Sequence, residues 1–363
     1  MKIEKVTIRN FRNIEKIDLT PKPGLNLFTG NNGQGKTNLL EAIHVLASGS
    51  SFRRATDFNL TKNDADGYEL ESDYSLEGRR INSGIRYSLD STKQFVINNK
   101  KTNFSNKDRL RVVIFTPDDL FLIKGSPSKR RAFLDFILKQ ISGEYSYNLD
   151  KYMTILRKRN IFLRKEQTSL KSFKIVNDLF VENAVKLVIQ RINFVHILEE
   201  VCRYIYSQIN EAGSDMKMKY ALSFEIESDK INMGVLQSAL HQHIEKNRDE
   251  ESRRKKTLAG PHLEDLNVYY DRRPAQIYAS QGQQRNISIS MKLAELHAFH
   301  SIKGFYPILL LDDVLSELDD QKKKRLISYL HQADFQTFLT VVNTDGIKID
   351  EIPNWRMDEG RLL

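Results

Sequence analysis

GNNGQGKT, residues 30–37, fills every fixed position of the pattern G-x-x-x-x-G-K-[ST]. Its flanks suit that reading. Residues 24–29 (GLNLFT) are a short buried-strand candidate, and Leu39, Leu40, Ile43 and Leu46 recur on one face of a helix-forming stretch over residues 36–47. Between strand and helix, the backbone N–H groups of Gly30, Asn31, Asn32, Gly33, Gln34 and Gly35 can curl around phosphate oxygens. The helix that opens with Lys36, Thr37 and Asn38 aims its positive end at the same anion. Lys36 is expected to reach the β- and γ-phosphates and Thr37 to hold Mg²⁺. The stretch therefore predicts a nucleotide-binding α/β domain.

Such a site needs a second metal carboxylate at the end of a neighbouring buried strand. Residues 308–312, ILLLD, supply it in Asp312, and Asp313 follows where it can orient or deprotonate an attacking water. The chain runs 276 residues from Lys36 to Asp312 (312 minus 36). A whole lobe is thus expected between two halves of one site, unlike a simple P-loop kinase. Residues 280–284, SQGQQ, open a helix with a hydroxyl and a glycine, which together make a second anion-binding device from Ser280, Gly282 and Gln283. One site does not need two cradles from the same chain, so the second is expected to close over the γ-phosphate held by another copy.

The rest of the chain supports an α/β head interrupted by helices. Residues 70–76 alternate as a half-exposed strand, residues 95–97 end at the turn signal Asn98-Asn99, and residues 111–115 (RVVIF) are a buried strand. Residues 144–212 contain neither Gly nor Pro. As one helix they would be about 100 Å long, so the polar break at residues 168–172 is read as the turn of an αα-hairpin arm. Residues 216–226 alternate as a strand, residues 235–256 are helical and charged, and residues 282–300, 319–332 and 335–342 read as helix, helix and strand. The expected division is a discontinuous head over residues 1–119 and 256–363, with a mainly helical second lobe over residues 120–255.

Among 363 residues, 40% are hydrophobic and 28% charged, enough for a sizeable core and against global disorder. No apolar run approaches a membrane span, and one cysteine, Cys202, excludes an internal disulfide. These features lead to the expectation of a cytoplasmic protein with no membrane association. The net charge is +9, unevenly spread: residues 151–175 hold eight basic residues and one acid. That clustering suggests a polyanionic partner, with Lys129, Arg130, Arg131, Arg157, Lys158 and Arg159 as candidate contacts to it. His241, His243, His297 and His300 lack a convergent carboxylate or thiol set and read as surface or helix-packing residues.

Taken together these elements resemble ABC-type ATPase heads, with residues 280–283 standing for their signature and residues 316–319 (SELD) for their D-loop. More specifically, RNFRN (9–13), GNNGQGKTNLLEAI (30–43), FTPDDLFLIKGSPSKRRAFLD (115–135), GPHLEDL (260–266), SQGQQR (280–285) with KLAE (292–295), and PILLLDDVLSELD (307–319) resemble the RecF family in letters, order and spacing. The resemblance implies ATP rather than GTP, ATP-driven homodimerisation, and sequence-independent binding of double-stranded and gapped DNA. It further implies partnership with RecR and RecO, recombinase loading in repair, and weak DNA-coupled ATP hydrolysis. It carries site roles onto Lys36, Thr37, Asp312, Asp313 and Ser280, and onto Arg12, which resembles a residue approaching the nucleotide in related heads. Three departures stand out. Asp313 is one methylene shorter than the Glu of most ABC heads, which fits slow turnover. Leu263 stands where the family motif suggests Arg. Residues 340–343 (TVVN) offer no histidine after the last strand. An SMC-like chromosome ATPase is the alternative, although this insert is too short for its coiled coils.

Overall fold

A computed structural model describes residues 1–104, 106–210, 215–228, 230–342 and 352–363. It divides into two compact units. The first joins Met1–Leu120, Tyr204–Ala212 and Asn286–Leu363; the second joins Phe121–Arg203 and Gly213–Arg285. The expected return to the head at residue 256 is therefore corrected to residue 286. Residues 256–285 belong to the second unit because Asp265–Tyr270 pairs antiparallel with Met216–Ala221, a pairing that no local pattern announces.

The first unit holds two six-stranded sheets. One is antiparallel, ordered Ile14–Leu19, Lys2–Phe11, Gly67–Leu76, Arg79–Ser88, Ser91–Ile97 and Lys100–Thr102. Strand Gly67–Leu76 alternates buried and half-buried residues along its whole length, as its sequence pattern requires. Asn98 and Asn99 take left-handed backbone angles and close a tight hairpin. The other sheet is mostly parallel, ordered Arg361–Leu362, Asn354–Asp358, Leu25–Thr29, Thr337–Val341, Ile308–Leu311 and Val112–Phe115.

Helix Lys36–Ser48 packs against strands of both sheets and is buried from Leu39 to Ala47. Its apolar surface is therefore wider than the single stripe read from spacing, as a helix covered on two sides requires. Even Glu41 and His44 of this helix are inside. The core joins Val6, Ile8 and Phe11 of the antiparallel sheet to Leu39, Ile43 and Leu46 of the helix and to Phe28, Leu310 and Phe338 of the parallel sheet.

The second unit is mainly helical, with a three-stranded sheet of Arg273–Pro274, Asp265–Tyr270 and Met216–Ala221. Helices Gly143–Arg164 and Lys171–Ile209 break where the polar turn was expected. They run antiparallel: Phe162 meets Phe173, Arg159 bonds Asn177, Tyr152 meets Phe180, and Arg191 bonds Tyr145. The hairpin is not a free arm. Its inner face is covered by Glu251, Thr257, Pro261 and His262, so it forms the core of its own unit. The charged stretch after residue 232 is two helices, Met233–Lys246 and Arg248–Arg254, divided at Asn247. No helix among the described residues is long and apolar enough to cross a membrane.

Candidate nucleotide site

The parallel sheet places the chemistry. Strand Thr337–Val341 lies between Leu25–Thr29 and Ile308–Leu311, all three running the same way. The loop after residue 29 and the acids after residue 311 therefore emerge at one carboxyl edge, where open parallel sheets bind ligands. Two segments 275 residues apart meet there: the Thr37 hydroxyl donates to Asp312 Oδ1 at 2.9 Å.

Helix Lys36–Ser48 starts from Gly35 at φ 103°, with no side-chain cap and no acid in its first turn, so its leading N–H groups are left for an anion. A Cβ at Gly30 (φ 146°) would meet the Met357 carbonyl oxygen at 2.4 Å, and one at Gly35 would meet Asn13 Oδ1 at 2.9 Å. Only glycine fits at either position. The Lys36 ammonium folds back onto the carbonyls of Gly30 and Asn31 inside the loop. Burial lowers the Lys36 pKa from its ordinary value, while Asp313 and Asp312 oppose that shift.

Asp312 is buried, and burial holds its carboxyl above the usual range against the hydrogen bonds from Thr37 and Thr340. Asp313 takes a left-handed angle of φ 50°, and its N–H donates to Thr340 Oγ1 at 3.0 Å. The same Thr340 hydroxyl donates to Asp312 Oδ1 at 2.9 Å. Thr340, on the intervening strand, thus fixes both acids. Sequence reading passed over it because a threonine in a β-prone run carries no signal. Thr37 and Asp312 converge as hard oxygen donors, a set that suits Mg²⁺ with water and phosphate oxygens completing its shell. Asn343, which enters the missing-histidine reading, lies outside the described residues.

Two further supports grip the loop. Asn13 Nδ2 donates to the Gly33 carbonyl at 3.4 Å, and Asn38 Nδ2 donates to Asn13 Oδ1 at 2.8 Å. From the other side, the N–H groups of Glu359 and Gly360 donate to Gln34 Oε1 and to the Gln34 carbonyl. The carboxyl-terminal hairpin therefore braces the phosphate loop, a role invisible in its sequence. Arg12, expected to approach the nucleotide, is held by Glu41: its Nε and Nη2 each donate at 3.0 Å to that buried carboxylate, and its Nη1 donates to the Asn59 carbonyl. Its place is along the loop helix, one turn beyond Thr37.

In the second unit, Ser280 opens helix Gln281–Lys303 as a capping box. The Gln283 N–H donates to Ser280 Oγ at 3.2 Å, and the Ser280 N–H donates to Gln283 Oε1 at 2.8 Å. Gly282 faces open space. In this chain alone, the segment caps its own helix.

The basic candidates divide. Lys129, Arg157 and Lys158 are exposed, and Arg131 is partly covered, donating to the Glu264 carbonyl. Arg130 and Arg159 are corrected as DNA contacts, because both are buried. Arg130 clamps Asp265 through Nε and Nη2 at 2.8 and 2.7 Å. Arg159 is paired with Glu251 and lies over the rings of Phe173 and Phe180. His297 bonds the Tyr329 hydroxyl and packs against Tyr306 and Phe335, while His300 stacks on Tyr306. Among the described residues, no group of three or more His, Cys, Asp or Glu could hold a metal.

Residues 2–351 match the RecF/RecN/SMC N terminal domain family. The chain is 35% identical over 361 residues to the DNA replication and repair protein RecF of Bacillus thuringiensis (strain Al Hakam), covering 96% of this chain and 94% of that protein. The chain belongs to the RecF family. The RecF protein of Bacillus cereus (strain B4264) matches to the same extent. The solved structure of the recombination mediator protein RecF-ATP in the RecFOR pathway superposes with a TM-score of 0.88 at 27% identity, covering 100% of this chain and 97% of that one. An Smc head domain from Pyrococcus furiosus shares the fold at a TM-score of 0.56 and 17% identity, covering 99% and 95% of the two chains. This RecF-family chain thus has the ABC-type head fold with an inserted helical lobe.

Proposed function

We propose that this chain is an ATP-dependent DNA-binding protein of recombinational repair and replication restart. The single observation that carries the reading is the Thr37–Asp312 contact, which assembles the metal-facing oxygens at the mouth of the glycine loop from segments 275 residues apart. Lys36 binds the β- and γ-phosphates, turning from the loop carbonyls that it bonds here. The loop N–H groups orient the triphosphate, Thr37 and Asp312 hold Mg²⁺, and Asp313 positions water and takes its proton. Mg²⁺, when bound, neutralises charge between the β- and γ-phosphates.

Ser280, with Gly282 and Gln283, is the cradle offered to the γ-phosphate of a second copy. Nucleotide therefore drives homodimerisation, and hydrolysis releases the dimer. Hydrolysis is slow, because Asp313 is short, and is stimulated by DNA, as the family likeness suggests. The dimer grips duplex DNA at single-strand gaps through phosphate contacts, including Arg157, Lys158 and Lys129. The RecFOR pathway of the matched RecF structures supports RecR and RecO as partners and recombinase loading as the outcome. The test is particle mass by light scattering with ADP and with an uncleavable ATP analogue, each with and without gapped DNA. A doubled mass only with the analogue is expected. A monomer under every condition refutes the reading.

A further inference from the structure

Within the second unit, two short helices, Phe121–Lys124 and Ala275–Tyr278, pack together, and Gln276 Nε2 donates to the Lys124 carbonyl at 3.4 Å. Beside them lies a cleft of about 130 Å³ lined by Ile123, Arg130, Leu266, Pro274 and Gln276. Each helix presents an aromatic ring to solvent. Phe121 is 52% exposed and Tyr278 61%. Each ring carries a cation over its face: Lys129 Nζ at 5.3 Å from the Phe121 centroid, and the Arg273 guanidinium at 5.6 Å from that of Tyr278. Segments 121–131 and 271–285 together contain six basic residues besides the buried, Asp265-paired Arg130 (Lys124, Lys129, Arg131, Arg272, Arg273 and Arg285) and one acid, Asp271.

Exposed rings interleaved with cations are what an unpaired nucleic-acid strand requires: base faces stack on the rings while phosphates meet the charges. A duplex hides its base faces and has no use for the rings. We infer that Phe121 and Tyr278, with Lys129 and Arg273, form a stacking platform for the unpaired strand beside the proposed DNA grip. The inference rests on the DNA-binding reading above and adds where the single-stranded part is held.

The test measures binding of a fluorescein-labelled oligothymidylate and of a blunt duplex to the full chain by fluorescence polarisation, with an uncleavable ATP analogue present. Phe121→Ala and Tyr278→Ala should each weaken oligothymidylate binding about five- to hundred-fold and together more, while duplex affinity stays within about two-fold. Phe121→Tyr and Tyr278→Trp should bind the single strand as the wild type does, which removes misfolding as an explanation. Unchanged single-strand affinity in the double variant overturns the inference and leaves the DNA-binding reading standing, as does an equal loss on duplex. Loss of the analogue-dependent doubled mass in the alanine variants also overturns it, by reassigning the patch to a subunit contact. A wild-type chain that binds neither probe overturns both.

Discussion

Arg159 sits in the most basic stretch of the chain, yet it is a folding residue. Its side chain has 0% exposure and that of Glu251 3%; both guanidinium Nη atoms bond that carboxylate, and Nε donates to Asn177 at 2.7 Å. Arg159→Met keeps most of the stem that packs on Phe173 and Phe180 but strips Glu251 of its counter-charge. The Leu258 N–H, at 2.9 Å, is then the remaining partner described for that carboxylate. Removing one member of a buried pair costs about 3–5 kcal/mol. That is from about a fifth to the whole of the stability of an ordinary domain, about 5–15 kcal/mol. Arg159→Met with Glu251→Leu removes both charges and should recover at least about 1–2 kcal/mol of the loss, because no unpaired ion remains. The assay is urea unfolding by far-UV circular dichroism. Fluorescence will not serve, because the sole tryptophan, Trp355, lies in the first unit. A single variant within about 1 kcal/mol of wild type, or a double variant that loses the sum of two single losses, would refute the reasoning.

Its neighbours should behave oppositely. Arg157→Ala with Lys158→Ala, both exposed, should leave the urea midpoint unchanged but lower DNA affinity and flatten its salt dependence by about one to two units of slope, measured by gel shift across salt. Asp312→Asn should retain triphosphate binding but lose Mg²⁺-dependent hydrolysis, read by phosphate release. In the wild type, Mg²⁺ affinity should fall with acidification at a higher pH than for an ordinary carboxylate, since burial raises the Asp312 pKa. Ser280→Arg should bind nucleotide normally yet stay monomeric with an uncleavable analogue in light scattering. Burial raises Glu264 to about 7, so the folded chain holds a proton that the unfolded chain has released above about 4.3; this group's contribution is present at low pH and lost as pH rises to about 7. His262, lowered by burial to about 4, works the other way, its contribution being lost as pH falls through that value. Glu264→Gln should therefore make stability rise more steeply with pH between about 5 and 7 in urea melts.

What was legible in the sequence was whatever repeats with a local period. The P-loop strand, its helix, the ILLL strand and the hairpin turn after residue 164 all lie where spacing put them, because each is specified by its own residues. The pairing of Asp265–Tyr270 with Met216–Ala221 was not, and it moved the boundary between the units by 30 residues (286 minus 256). A strand partner more than forty positions away leaves no trace in either segment alone. The buried arginines show the same limit for charge. Nothing in RKR, residues 157–159, says that the first two face water while the third meets a glutamate 92 residues on.

The site divides along the same line. The glycines, Lys36, Thr37 and Asp312 could be nominated from sequence because the phosphate and metal chemistry proposed for them dictates residue type, and the fold brings Thr37 and Asp312 together. The residues that hold them there were not, because support can be built from anything of the right shape. Thr340 fixes the two acids with one hydroxyl, Asn13 fills the space that Gly35 leaves, and the Glu359 and Gly360 N–H groups hold Gln34 through backbone alone. These contacts tie the loop to a strand more than 300 residues downstream. Because that strand pairs directly with Leu25–Thr29, the last residues of the chain set the geometry of a motif near its start. Disruption of the hairpin at Met357–Leu362 should then loosen nucleotide binding without touching any residue that meets the phosphates. Strand Leu25–Thr29, the loop that follows it and the hairpin Asn354–Leu362 are thus one structural element.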